Sequence, residues 1–348
     1  MLELNGLHRP KATVSILSLS CQIRLRVNSR QNNKSDPCHL PMLIIAAPSN
    51  LGLKPLWPGH EPGTWRAPSV LVAAGLLQAV NASSFIELSR PAYSAEALEG
   101  TRLRNGYAIR LFNLELASRV REAVGQGDFA LVLGGDCSIL LGALAGARAA
   151  GALSLVHIDG HSDFRHPGNY DPEQSLGAVA GMDLALATGR GEPLLTQWPD
   201  ISAPLVQDAH VIQLGERENR DADFAWPDVN STSMTRIDVF EAISIGPNEV
   251  VKRVLDTLDQ VRGQGFWVHL DVDVLDQYVM PAVDCPGFPG IPPDELVCVM
   301  SPLIADPRCR GMTVSVFDPD LDPEGTFAAK IVEIIGQLPF PNRPLSIG

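Results

Sequence analysis

An α/β fold, with a mainly parallel sheet covered by helices on both faces, is predicted by three features of this sequence. Short runs rich in Val, Ile and Leu alternate with longer helix-like stretches from residue 42 onward. The runs are apolar throughout, as strands buried on both faces are. Carboxylates stand at the ends of two of them, where ligands bind in open parallel sheets.

In chain order, strands are expected at 43–47, 85–88, 130–133, 153–158, 211–214, 266–270 and 312–316, with a further short strand at 236–239. Each is a brief β-branched or aliphatic run. Helices are expected at 68–80, 108–124, 139–149, 174–187, 248–264, 293–304 and 324–335, where apolar residues recur at helical spacing. Four connections are long and rich in Gly, Pro or polar residues: 49–67, 165–173, 216–235 and 278–292. Such loops in a compact domain are the expected walls of a pocket. No repeat or low-complexity linker follows residue 41, so 42–348 is read as one domain.

The first 41 residues differ in kind. They hold six basic and two acidic side chains, which leaves −17 of the overall net charge of −13 on the rest. An organellar transit peptide and a disordered or non-native extension are both open readings. The chain has 348 residues, 45% hydrophobic and 19% charged, with no apolar run long enough to span a membrane. Its negative charge argues against nucleic-acid and anionic-membrane partners. Six cysteines without a CxxC pair suit reduced, cytoplasmic thiols.

The chemistry concentrates at two strand ends. Asp159, His161 and Asp163 follow the 153–158 strand at alternating positions, and Asp271 and Asp273 end the 266–270 strand. Residues two apart on an extended chain face the same way, so these groups converge. Four carboxylates and an imidazole suit a pair of bridged divalent cations. Helix and turn capping is the alternative for any single aspartate, but five such residues in two blocks favour the cations. A third strand ends in Gly134-Gly135-Asp136-Cys137-Ser138. Paired glycines permit a tight strand-to-helix turn, Asp136 or Ser138 suits a helix cap, and Cys137 would point into the same crevice. His157 and His269 precede the carboxylates by two, as hydrogen-bond supports or satisfied core histidines. Arg165 and His166 follow Asp163 and suit an anionic substrate group or a loop salt bridge; Trp65 and Arg66 suit pocket lining or surface packing. Glu216, Arg217, Glu218 and Arg220 read as a solvated charge cluster, and Asp318, Asp320 and Asp322 as turn formers.

Taken in order, Gly134-Gly135-Asp136-Cys137-Ser138, Asp159-Gly160-His161-Ser162-Asp163 and Asp271-Val272-Asp273-Val274-Leu275-Asp276 resemble the GGDHS, DAHxD and DxDxxD blocks of the arginase/agmatinase family, the ureohydrolases, within roughly residues 42 to 338. The resemblance implies a three-layer α/β/α fold with a mainly parallel sheet of about eight strands, a trimeric or hexameric homo-oligomer and two divalent cations, manganese foremost. By position, Cys137, Asp159, Asp163 and Asp271 would hold one cation, and His161, Asp159, Asp271 and Asp273 the other. Hydroxide bridging them would attack an amidino-type carbon, with Asp163 and His161 as the catalytic residues and Glu218 in a substrate-contacting loop.

Several positions depart from the family pattern. Cys137 stands where histidine is usual; as a ligand it favours zinc, iron, cobalt or nickel over manganese, and as a small buried residue it leaves one site weak. Ala180 replaces a histidine proton shuttle, and Val316 replaces a guanidinium-binding glutamate. The PATGTP-like stretch becomes Pro281-Ala282-Val283-Asp284-Cys285-Pro286. The expected substrate is thus a guanidino or amidino compound other than plain arginine. A formimino compound, or a non-catalytic role for a decayed site, are the alternatives.

Overall fold

The computed structural model describes residues 42–341 apart from 83, 152, 203, 262 and 263, so the 1–41 extension lies outside the described residues. Eight strands among them form one sheet: β1 (Met42–Ala47), β2 (Ser84–Glu87), β3 (Phe129–Gly134), β4 (Leu153–Ile158), β5 (Val211–Leu214), β6 (Thr235–Ile237), β7 (Gly265–Asp271) and β8 (Cys309–Ser315). Their order is β2-β1-β3-β8-β7-β4-β5-β6, and every pairing is parallel.

Alternating side chains feed two apolar layers. Ile44, Leu131, Val156, Val268 and Met312 pack toward the helices Pro247–Asp259, Pro293–Ala305 and Thr326–Gly336. Ile45, Val132, Leu155 and Trp267 pack toward Gly106–Gly125, Ile139–Ala147 and Asp183–Ala187. Burial on both faces is why these strands read as continuous apolar runs, and it supplies the main stabilising term of the fold.

Some boundaries moved for local reasons. The helix expected at 174–187 is a loop followed by a 3-10 turn, Val179–Met182, and a short helix, Asp183–Ala187. Gly177 instead exchanges backbone hydrogen bonds with Arg102 and Arg104. The 68–80 helix divides into Ala67–Ala73 and Leu76–Ala79 at Gly75, whose φ is 100°. A helix at Val239–Ile245 was not anticipated; the Asp238 side chain accepts from Glu241 N at its start.

Candidate metal centre and pocket

Four central strands bring the site together, because β3, β8, β7 and β4 are consecutive neighbours in the sheet. Beyond β3 the chain turns at Gly135, where a Cβ would lie 2.1 Å from Ser49 O. That contact leaves room only for glycine. Behind the turn Asp136 accepts from Ser49 Oγ at 2.8 Å and Ser138 N at 2.9 Å, so its role is to brace the loop. Cys137 is buried, its Sγ 2.8 Å from Asp271 Oδ2 and 3.2 Å from Ser315 Oγ.

Beyond β4, Asp159 Oδ1 accepts from His161 N at 2.6 Å, and Asp163 takes a left-handed backbone with φ 47°. His161 Nδ1 lies 2.8 Å from Asp273 Oδ2. At the end of β7, Asp271 Oδ1 accepts from Asp273 N at 2.8 Å, and Asp273 Oδ1 accepts from Gly160 N at 3.0 Å. The β4 and β7 ends are thereby fastened to each other. Arg217 reinforces the join by donating to the carbonyls of Asp273 and Pro289.

Electrostatics in this cluster call for positive charge. Burial and the neighbouring Asp273 push Asp159 up to about 7. Burial raises Asp163 and Asp271 well above the usual carboxylate range, helped by Asp159 and by Asp273 respectively. Burial acts the same way on Asp273, but His161 outweighs it and holds that carboxyl low. Burial and Asp271 push the Cys137 thiol up. Asp159 Oδ2 is buried with no hydrogen-bond partner, His157 Nε2 standing 3.7 Å away, beyond hydrogen-bond reach. A fully buried, orphaned carboxylate oxygen is costly unless a cation meets it. Potential ligand atoms of Asp159, His161 and Asp273 lie within 4.8 Å of one another, as do those of His157, Asp159 and Asp163. The donor set therefore fits divalent cations.

A cavity of about 250 Å³ opens above this cluster. Each of the four long loops contributes to its wall: Leu53 and Lys54, then Arg165, then Glu218 and Trp226, then Asp284 and Cys285. Cys137, His161, Asp163, Asp271 and Asp273 also line it, with Ala180 and Val316. Val316 is buried at a φ of 76°, a region that a β-branched residue seldom adopts.

Not every expected residue reaches the cavity. His166 turns away and meets Asp228 Oδ2 at 2.7 Å; this loop salt bridge removes it from the wall. Glu216 and Arg217 are buried, and Glu216 pairs with Arg236, so they are not the solvated cluster the sequence suggested. For Glu216, burial outweighs the Arg236 partner and pushes the carboxyl up to about 7. Arg66 pairs with Asp320 and Trp65 carries the Arg90 guanidinium on its face, both outside the cavity wall. Asp318 and Asp322 do form turns, accepting from Asp320 N and Phe327 N.

Two carboxylates escaped the sequence reading. Asp284 stands in the cavity wall, where enclosure and then Asp273 push it up to about 6. Asp183 lies beneath the cluster, fully buried beside His157 and His269. The signal for Asp284 was present in the altered 281–286 stretch. Asp183 was hidden by the assignment of 174–187 to one long helix.

The arginase family model matches residues 43–338. The arginase of Bacillus caldovelox is 29% identical over 305 residues, covering 86% of this chain and 97% of that protein. Its native crystal structure superposes with a TM-score of 0.74 at 27% identity, covering 88% and 99% of the two chains. Proclavaminate amidino hydrolase of Streptomyces clavuligerus shares the fold, with a TM-score of 0.60 at 18% identity over 89% and 94%.

Proposed function

The chain belongs to the arginase family, and on that premise we propose that it hydrolyses a C–N bond in a small guanidino or amidino compound other than plain arginine. Metal-dependent hydrolysis of non-peptide C–N bonds is the family's general activity and this chain's. The observation that carries the narrower reading is a cation-fitting cluster whose cavity wall has Val316 and Ala180 beside the new carboxylate Asp284.

In this reading Cys137, Asp159, Asp163 and Asp271 hold one cation and His161, Asp159, Asp271 and Asp273 the other. When bound, the pair supplies a water acidified to near neutral pH and a Lewis acid. Asp163 accepts a proton and returns it to the departing amine, while His161 is oriented by Asp273. Asp284 and Glu218 offer carboxylates to a cationic amidino group, a pairing Val316 cannot make. Arg165 and Lys54, on the opposite sign of charge, would receive an anionic part of the same molecule. The Cys137 sulfur favours zinc, iron, cobalt or nickel over manganese at one position. The working form is taken to be a cytoplasmic homo-oligomer, a trimer or hexamer, which light scattering would check.

Metal analysis of protein purified without chelator, for wild type and Cys137→Ala, is the first test. Two cations per chain falling toward one in the variant are expected, followed by metal-dependent release of urea or ammonia in a screen of guanidino, amidino and formimino compounds. Absence of metal together with no metal-dependent hydrolysis would overturn the proposal.

A further inference from the structure

Beneath the carboxylates the sheet carries a polar row where its face is otherwise apolar. In register across the strands stand Gln213, His157, His269 and Thr313, all fully buried. The next inward residues on the same face are Leu155 and Trp267, which belong to the apolar layer. Asp183, at the start of the Asp183–Ala187 helix, lies over this row. Its Oδ1 is 3.3 Å from His157 Nε2 and its Oδ2 is 3.6 Å from His269 Nε2.

The row is not self-satisfied. His269 Nδ1 meets Thr313 Oγ1 at 2.6 Å, so in the tautomer that donates there Nε2 presents a lone pair. Asp183 Oδ2 and Asp159 Oδ2 are both buried without a hydrogen-bond partner. Leaving such oxygens unpaired in an apolar interior is costly unless a cation or donor meets them. An ion pair of His157 with Asp183 would account for Oδ1 and leave Oδ2 unexplained, while Ser315 Oγ reaches His269 Nε2 only at 3.5 Å, the limit of a hydrogen bond. Three sets of potential ligand atoms, each mutually within 4.8 Å, interlock here: Cys137, Asp159 and His269; Cys137, Asp163 and Asp183; His157, Asp183 and His269. Cys137 belongs to the first two, and His269 and Asp183 link these to the third.

We propose that the cation on the Cys137 side is also held from below, by His269 Nε2 and Asp183, so that the imidazole residue 137 does not provide comes from β7. His157 is then a positioning residue that fixes the Asp183 carboxylate. The inference rests on the two-cation reading above and adds ligands that its sequence motifs do not contain.

Cobalt(II)-loaded wild-type protein gives the first readout, because each coordinated imidazole contributes one exchangeable, hyperfine-shifted N–H resonance to the proton NMR spectrum. Two resonances, from His161 and His269, are expected; one alone would overturn the inference. Asp183→Asn and His269→Gln supply the second readout, as zinc affinity by chelator competition with circular dichroism as the control for folding. Folded variants should retain one tight zinc and bind the other at least 10-fold more weakly. Two zinc ions bound with wild-type affinity in both variants would reject the inference and leave the two-cation reading intact. Wild-type protein that takes up no metal would bring down both.

Discussion

At the scale of single residues, the metal-free centre is a store of protons. Asp159 is pushed up to about 7 by burial and Asp273, and Asp163 and Asp271 move in the same direction. A carboxyl whose folded pKa exceeds its unfolded value stabilises the fold fully below the unfolded pKa, and that stability is lost as pH rises through the folded value. Chelated protein should therefore lose stability between about pH 4 and pH 7, the interval bounded by an ordinary aspartate and Asp159. Divalent cations displace those protons, so their addition should restore the loss near neutral pH. Thermal melts across pH with and without chelator would test this; parallel curves would contradict it. Asp284 carries a second expectation. Above about pH 6 it is ionised and able to pair with a cationic substrate. Asp284→Asn should raise KM about 10- to 100-fold near pH 8, the equivalent of about 1.5–3 kcal/mol for one charge-assisted hydrogen bond, with kcat changed much less. A kcat loss at constant KM would place Asp284 elsewhere in the reaction. Residue identity made the Asp159, His161, Asp163, Asp271 and Asp273 group legible, because alternating acids at strand ends have few other uses. Asp183 was not legible, since the reading of 174–187 as one continuous helix placed it inside that run rather than at the start of a short helix.

At the scale of elements, strands were easier to place than the turns between them. The runs at β4 and β5 stop where their apolar residues stop, Leu153–Ile158 and Val211–Leu214. The stretch before Asp183 misled because helical propensity is a weak prior against tertiary hydrogen bonds, here those binding Gly177 to Arg102 and Arg104. The Val239–Ile245 helix carried its own mark, Asp238 followed three residues later by Glu241, which is a capping pattern. The β3 turn is the element on which Cys137 depends. Gly135→Ala would place a methyl 2.1 Å from Ser49 O, and backbone on both sides must yield. A cost of about 1–3 kcal/mol in denaturant unfolding is expected, as for other overpacked sites, together with weaker metal binding on the Cys137 side. Unchanged metal affinity in a destabilised variant would show that Cys137 does not depend on that turn.

At the scale of the molecule, chain order and sheet order differ in a way that ties the cation site to the whole fold. β3 and β4 follow one another in sequence but do not pair; β8 and β7, from the last third of the chain, stand between them. The two flanks, β2-β1-β3 and β4-β5-β6, are joined through these late strands. Cys137 leaves β3, Asp159 and Asp163 leave β4, and Asp271 and Asp273 leave β7, so cations held by this set bridge both flanks to the insertion. Binding that occurs only in the folded state stabilises by RT ln(1 + [L]/Kd), about 4 kcal/mol per site at 1,000-fold excess over Kd. That energy should appear where the bridge is, as slower amide exchange in β3, β4 and β7 when metal is added. Edge strands β2 and β6, which carry none of these ligands, should change little. Hydrogen exchange followed by mass spectrometry separates the alternatives. Protection confined to the loops at 160–166 and 272–285 would mean that the cations order only the pocket, and that the β7–β8 insertion holds the flanks together without them.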